Sequence, residues 1–273
     1  MIAPVIDAGW LRAHRDDVVV ADCRLYLDGR SPRVAYDAGH IEGAVHVDLE
    51  RWLAAPASPA RGRHPLPSPE TFAEGMSRAG IGDDTTVVAY DDAGGVMAAR
   101  LVWMLRATGH DAALLDGGLA AWDEPLSGVA PLVAPASFTP VSWPPGRLAS
   151  ADDAASEANV VIDARQAERF RGETEPIDPR PGHIPGARSV PSREHLRPGD
   201  DRLRPAGELR ERFAQAGVVP DAHVVSYCGS GVTACHNLLV MEHAGLGPGR
   251  LYPGSWSQWS ADPDRPAATG DGA

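Results

Sequence analysis

The sequence predicts an α/β protein built from two consecutive copies of one domain, each a mostly parallel sheet with helices on both faces. Three observations carry this. Four short blocks recur in one order at nearly constant separation: Val20-Ala21-Asp22-Cys23-Arg24 with Val161-Ile162-Asp163-Ala164-Arg165, Gly39-His40-Ile41 with Gly182-His183-Ile184, Val87-Val88-Ala89-Tyr90-Asp91 with Val224-Val225-Ser226-Tyr227-Cys228, and Gly117-Gly118-Leu119 with Gly254-Ser255-Trp256. Such repetition marks a duplicated domain. Within each copy, β-branched runs alternate with segments of helical spacing. The length of 273 residues accommodates two cores of about 120 residues, each able to fold without staples.

The elements follow in chain order. Residues 18–21 form a β-branched run leading into Asp22, and residues 86–89 look the same, which suits buried strands. Ser68-Pro69-Glu70 reads as an N-cap with proline at the first helical position, and Phe72 and Met76 then share one helix face. In the second copy, residues 160–162 and 223–226 repeat the strands, and Leu209 and Phe213 repeat the helical spacing. A further helix is expected over residues 232–244. Residues 125–147 carry Pro125, Pro131, Pro135, Pro140, Pro144 and Pro145, a density that reads as an extended, semi-rigid linker. The domains are therefore placed at 1–124 and 148–273. The Pro/Arg-rich loop from Pro56 to Pro67 is expected on the surface.

Composition excludes several classes of function. A formal charge of −12 argues against nucleic acid and against anionic membranes, so an anionic substrate needs a local cluster of arginines. No run approaches a membrane span, and the N-terminus lacks the pattern of a secretory signal, so a cytoplasmic protein is expected. All basic residues are Arg. The lack of Lys removes Schiff-base chemistry and the P-loop GK[ST] signature. Three cysteines, Cys23, Cys228 and Cys235, with no CxxC pair argue against a disulfide framework or a zinc site.

Active sites of parallel sheets sit at the carboxyl ends of strands, and both Asp91 and Cys228 are placed at such an end. Cys228-Gly229-Ser230-Gly231-Val232-Thr233-Ala234 links an expected strand to an expected helix. Its glycines let backbone N–H groups turn toward one centre, and the helix start adds unsatisfied N–H groups and a positive dipole end. Such a nest stabilises an anion at the cysteine sulfur. A buried structural Cys would not need it.

The segment CGSGVTAC at residues 228–235, the paired GHI segments and the glycine-led endings resemble tandem-domain sulfurtransferases of the rhodanese superfamily, over roughly Val18 to Trp259. Within that superfamily CGSGVTA resembles the 3-mercaptopyruvate version, whereas thiosulfate-preferring relatives typically carry CRKGVTA. The resemblance implies a Cys228 persulfide formed from a small anionic sulfur donor, 3-mercaptopyruvate or thiosulfate. A thiol such as thioredoxin, or cyanide, then accepts the sulfur, with no metal or organic cofactor. Gly229, Ser230, Gly231, Val232 and Thr233 would cradle the persulfide. Of the two arginines that bind the donor carboxylate in such relatives, Arg169 matches the first by context, and Arg180, offset by a different spacing, is the candidate for the second. Ser230 would meet the donor carbonyl, and His40 is the candidate assisting residue. The Asp that would complete a triad is replaced by Ser31 in this reading. Cys235 is expected to pack, and His183 to be structural.

The first copy has Asp91 where the second has Cys228, so it is expected to be catalytically silent and to cover one side of the cleft. Two rival readings use the same loop. A Cys-dependent phosphatase needs an Arg closing the loop, where Ala234 stands. A thiosulfate:cyanide sulfurtransferase would use the same Cys with another preferred donor. A serine hydrolase lacks its GxSxG elbow.

Overall fold

The computed structural model describes residues 1–271; the last two residues of the expected second domain lie outside it. The nine strands of the described residues are β1 Val5–Ile6, β2 Val18–Asp22, β3 Val45–His46, β4 Thr86–Tyr90, β5 Ala112–Leu115, β6 Val160–Asp163, β7 Arg188–Ser189, β8 Val224–Tyr227 and β9 Arg250–Leu251. They form two sheets, ordered β1-β5-β4-β2-β3 and β7-β6-β8-β9. Every pairing is parallel, as alternating strands and helices require. The two-domain α/β expectation holds.

The compact units are not contiguous in sequence. One comprises Met1–Ala55, Pro67–Trp143 and Leu196–Leu203; the other comprises Pro56–Leu66, Pro144–His195 and Arg204 onward. In the first unit Ser68 caps the helix Pro69–Arg78 by accepting from the Thr71 N–H at 3.1 Å. The proline-rich stretch is extended but fastened to this unit as far as Trp143. Phe138 stacks on His110 with ring centroids 4.4 Å apart, and the Trp143 indole donates to Pro67 O at 2.8 Å.

The repeated blocks turn out to be one buried network drawn twice. Arg24 grips Asp22 with a 2.7 Å bond and donates to Gly39 O, while Tyr90 donates to Asp22 and accepts from the Ile41 N–H. Arg165, Asp163 and Gly182 O repeat the ion pair, and Tyr227 accepts from the Ile184 N–H. Buried charges must be paired, so the spacing of Asp, Arg and the GHI turn is fixed by stability in both copies.

In the second unit the helix Thr233–His243, which follows the Cys228 loop, carries the fully buried His236, and the fully buried His195 lies beside that ring. His195 bonds Asn237 Oδ1, whereas neither ring nitrogen of His236 has a partner among the described residues. Burial depresses both to about 3, against 6.5 for a free imidazole. The unfolded chain therefore binds protons first. Stability is complete above pH 6.5 and drains away as pH falls from 6.5 toward 3, by about 1.4 kcal/mol per pH unit for each histidine. Together these two histidines should contribute a loss of about 4 kcal/mol to urea-unfolding stability between pH 7 and 5. His236→Leu should roughly halve that loss; an unchanged pH dependence in this variant would refute the assignment.

Candidate active site

Cys228 follows β8 directly and is 2% exposed. Its Sγ accepts the Gly231 N–H at 3.1 Å. Gly231 sits at φ +79°, and a Cβ there would fall 2.7 Å from Pro253 O. The tight turn that aims this amide at sulfur is therefore open to glycine alone. The strand end is held from below: Cys228 N–H donates to Ser255 Oγ at 3.2 Å, and Trp256 N–H donates to Cys228 O at 2.9 Å. Ser255 adopts φ +52° and donates its hydroxyl to Tyr252 O. The first copy has Gly118 at this place, also with positive φ. A serine kept in that strained conformation is explained by its bond to the Cys228 amide. Cys235 is buried and points its thiol at Gly231 O at 3.3 Å, which fits packing.

The first copy shows what such a loop does with an anion. Asp91 is fully buried, and its carboxylate accepts four backbone N–H groups, from Ala93, Gly95, Met97 and Ala98, at 2.6–2.8 Å. Burial pushes its pKa up while the four amides pull it down. The nest is not empty of donors or repelled by charge; it is filled by its own side chain. The loop holds an aspartate in place of a thiol, and its four amides are already engaged by that carboxylate.

Around the Cys228 loop the structure gathers residues that the sequence reading left apart. His64 Nδ1 lies 2.7 Å from Ser230 Oγ. A Cβ on Gly229 would sit 2.9 Å from Arg63 Nη2 and 3.7 Å from Arg169 Nη1. Arg63 and His64 come from the Pro/Arg-rich loop, which belongs to the second unit and is not simply surface. It is fastened by Ser257 Oγ accepting the Arg63 N–H at 3.0 Å and by Gln258 donating to Ala60 O at 2.6 Å. Gly62 lets it approach so closely, because a Cβ there would meet Gly254 O at 2.5 Å. Arg169 is braced by Glu175 at 2.6 Å and Asp178 at 3.1 Å, and Asp178 also pairs with Arg63. Burial, joined by the Glu175 charge, pushes the Asp178 carboxyl above its ordinary range against the pull of Arg63 and Arg169.

Two expected site residues make their contacts away from the Cys228 loop. Arg180 donates to four backbone carbonyls, those of Trp259, Ser260, Asp262 and Arg265. It ties down the chain after the last helix, and its guanidinium is already committed there. His40 is the structural twin of His183. Each is buried, bonds a carbonyl through Nδ1 at 2.8 Å (Tyr36 O and Phe170 O), and stacks on the ring of that same residue. His40 Nε2 also bonds Val129 O. The histidine beside Ser230 is His64. Its sequence signal was weak, because it lies in the first copy and has no repeated partner.

A family model described as a rhodanese-like domain matches residues 7–125 and again 148–262. The chain belongs to the rhodanese family. Similar rhodanese-family proteins include one from Pseudomonas aeruginosa named "Probable 3-mercaptopyruvate sulfurtransferase", 44% identical over 95% of each chain. The 3-mercaptopyruvate sulfurtransferase of Escherichia coli is 38% identical over 96% of each chain. The crystal structure of SseA from Escherichia coli, titled for the "Rhodanese" fold and the catalytic mechanism of 3-mercaptopyruvate sulfotransferases, superposes with a TM-score of 0.82 at 35% identity. The match covers 94% of this chain and all of that one.

Proposed function

We propose that the protein is a sulfurtransferase that moves a sulfane sulfur from 3-mercaptopyruvate to a thiol acceptor through a persulfide on Cys228. The observation that carries this reading is the cluster at the loop: a cysteine sulfur facing a backbone amide, two guanidinium groups against Gly229, and a Ser–His pair beside it. Arg63 and Arg169 are placed to hold one carboxylate, and guanidinium suits that planar group. Ser230, oriented by His64, meets the donor carbonyl. The Cys228 thiolate attacks the donor sulfur; the C–S bond breaks and its electrons pass into the pyruvate enolate. The thiol proton of the donor moves to the enolate carbon, with Ser230 and His64 as the route, so Cys228 persulfide anion and pyruvate result. Loop amides stabilise the persulfide anion as the Asp91 carboxylate is stabilised in the first copy. A thiol such as thioredoxin, or cyanide, then takes the outer sulfur and regenerates the thiolate. A reducing cytoplasm suits a cycle that needs Cys228 as a free thiol.

Thiosulfate would serve as a slower donor, because no cationic side chain stands within the loop itself. Steady-state kinetics with both donors on one preparation test this. Arg169→Ala should lower kcat/KM for 3-mercaptopyruvate by about ten- to a hundredfold, the cost of one charged hydrogen bond. A higher kcat/KM for thiosulfate in the wild type would sink the donor assignment.

A further inference from the structure

The cations beside the loop do not stand alone. Arg63, Asp178, Arg169, Glu175, Arg165 and Asp163 form an unbroken chain in which positive and negative groups alternate, each in contact with the next. Three guanidinium groups meet three carboxylates, so the cluster carries no formal net charge. Asp178 closes this balance at the end nearest Cys228, with a side chain 2% exposed and one carboxylate oxygen on each of the two arginines that flank Gly229. Its place is structurally prepared, because Ile177 and Asp178 both donate their backbone N–H groups to Glu175 Oε1 at 3.1 Å. A carboxylate bridging Arg63 and Arg169 is also chemically what a donor carboxylate would be in the same position.

We propose that Asp178 sets the donor preference of the site, by lowering the charge of the Arg63–Arg169 pair to a level that accepts a monoanion and disfavours a dianion. A monoanionic 2-oxo acid thiol adds one negative charge to a balanced cluster; thiosulfate adds two. Coulombic cost in a half-buried site grows with each added charge. Asp178 thus acts through the two arginines and need not touch the donor. It is a positioning and charge-setting residue. The inference deepens the sulfurtransferase reading and borrows from it the two ligands to compare.

The test uses binding, so that it is independent of turnover. In the full-length chain carrying Cys228→Ser, dissociation constants for thiosulfate and 3-mercaptopyruvate are measured by calorimetry with and without Asp178→Asn. Neutralising the carboxylate should tighten both ligands, and thiosulfate about tenfold more than 3-mercaptopyruvate. A merely structural role would weaken both alike. A ratio of the two constants that stays within about twofold of the parent overturns the proposal. Should Asp178→Asn lose the far-ultraviolet circular dichroism of the parent, Arg63→Gln replaces it. That change leaves the cluster one positive charge short and should move the ratio about tenfold against thiosulfate; an unmoved ratio is again fatal. Sulfur transfer itself is followed separately, as added mass on wild-type Cys228, so the two ideas can fail independently.

Discussion

Cys228→Ser is expected to abolish sulfur transfer to background while leaving the unfolding midpoint nearly unchanged. A serine hydroxyl fits the same space, and the Gly231 N–H can still donate to it. What is lost is the chemistry: an alkoxide does not form a stable bond to a sulfane sulfur. Wild-type protein incubated with 3-mercaptopyruvate should gain about 32 Da per chain, the mass of one sulfur, on the peptide containing Cys228. The other two thiols are internal controls. Cys23 is wholly buried, and burial beside Asp22 and Asp91 pushes its pKa well above the ordinary thiol value. Cys235 is equally buried and donates to Gly231 O. Added mass on either of these, with Cys228 unmodified, would overturn the assignment.

The second large effect is expected far from Cys228 in sequence. Replacing both Arg63 and His64 by alanine in the full chain should lower kcat/KM for 3-mercaptopyruvate by about 10²–10⁴-fold, if two charged or polar contacts of about 1.5–3 kcal/mol each are lost. The same change should leave the Cys228 loop intact, because its own bonds run to Ser255, Trp256 and Gly231. A fragment of residues 148–273 should be no more active than the double variant. It contains the whole loop but lacks the Pro56–Leu66 segment that completes the second unit. Near-wild-type turnover by that fragment would refute the roles given to Arg63 and His64. The single variants separate them: Arg63→Ala should act mainly on KM, through the carboxylate, and His64→Ala mainly on kcat, through Ser230.

The division between what sequence and structure each supplied follows from the range of the interactions. Local signals were sufficient for the strands, whose β-branched runs are buried on both faces, and for the Ser68 cap, a contact across three residues. The loop from Cys228 to Thr233 was equally legible, since strand, Gly231 turn and helix start are contiguous. Repetition revealed the duplicated domain, because the Asp–Arg–Tyr network has to be built in each copy from the same spacing.

The family resemblance drew attention to His40, whose echo His183 gave the contrary hint: what is repeated is what each copy needs to fold, and both histidines brace the same turn. The residues that set the active site apart occur once. Arg63 and His64 sit more than 160 residues before Ser230, in a loop whose proline and arginine content carries no hint of where it packs. Arg169 and Arg180 both lie near the GHI turn in sequence, Arg180 at a spacing that differs from the family pattern. Tertiary structure turned one toward the carbonyls of residues 259–265 and the other toward Gly229. The sequence by itself determined the duplicated fold, the cysteine in the strand–glycine–helix loop of the second copy and the aspartate at the equivalent point of the first, because these depend on neighbours along the chain. The arginine pair, the His64–Ser230 contact and the charge balance through Asp178 were decided only in three dimensions. They depend on which distant side chains share one buried, low-dielectric site, where every charge must find a partner.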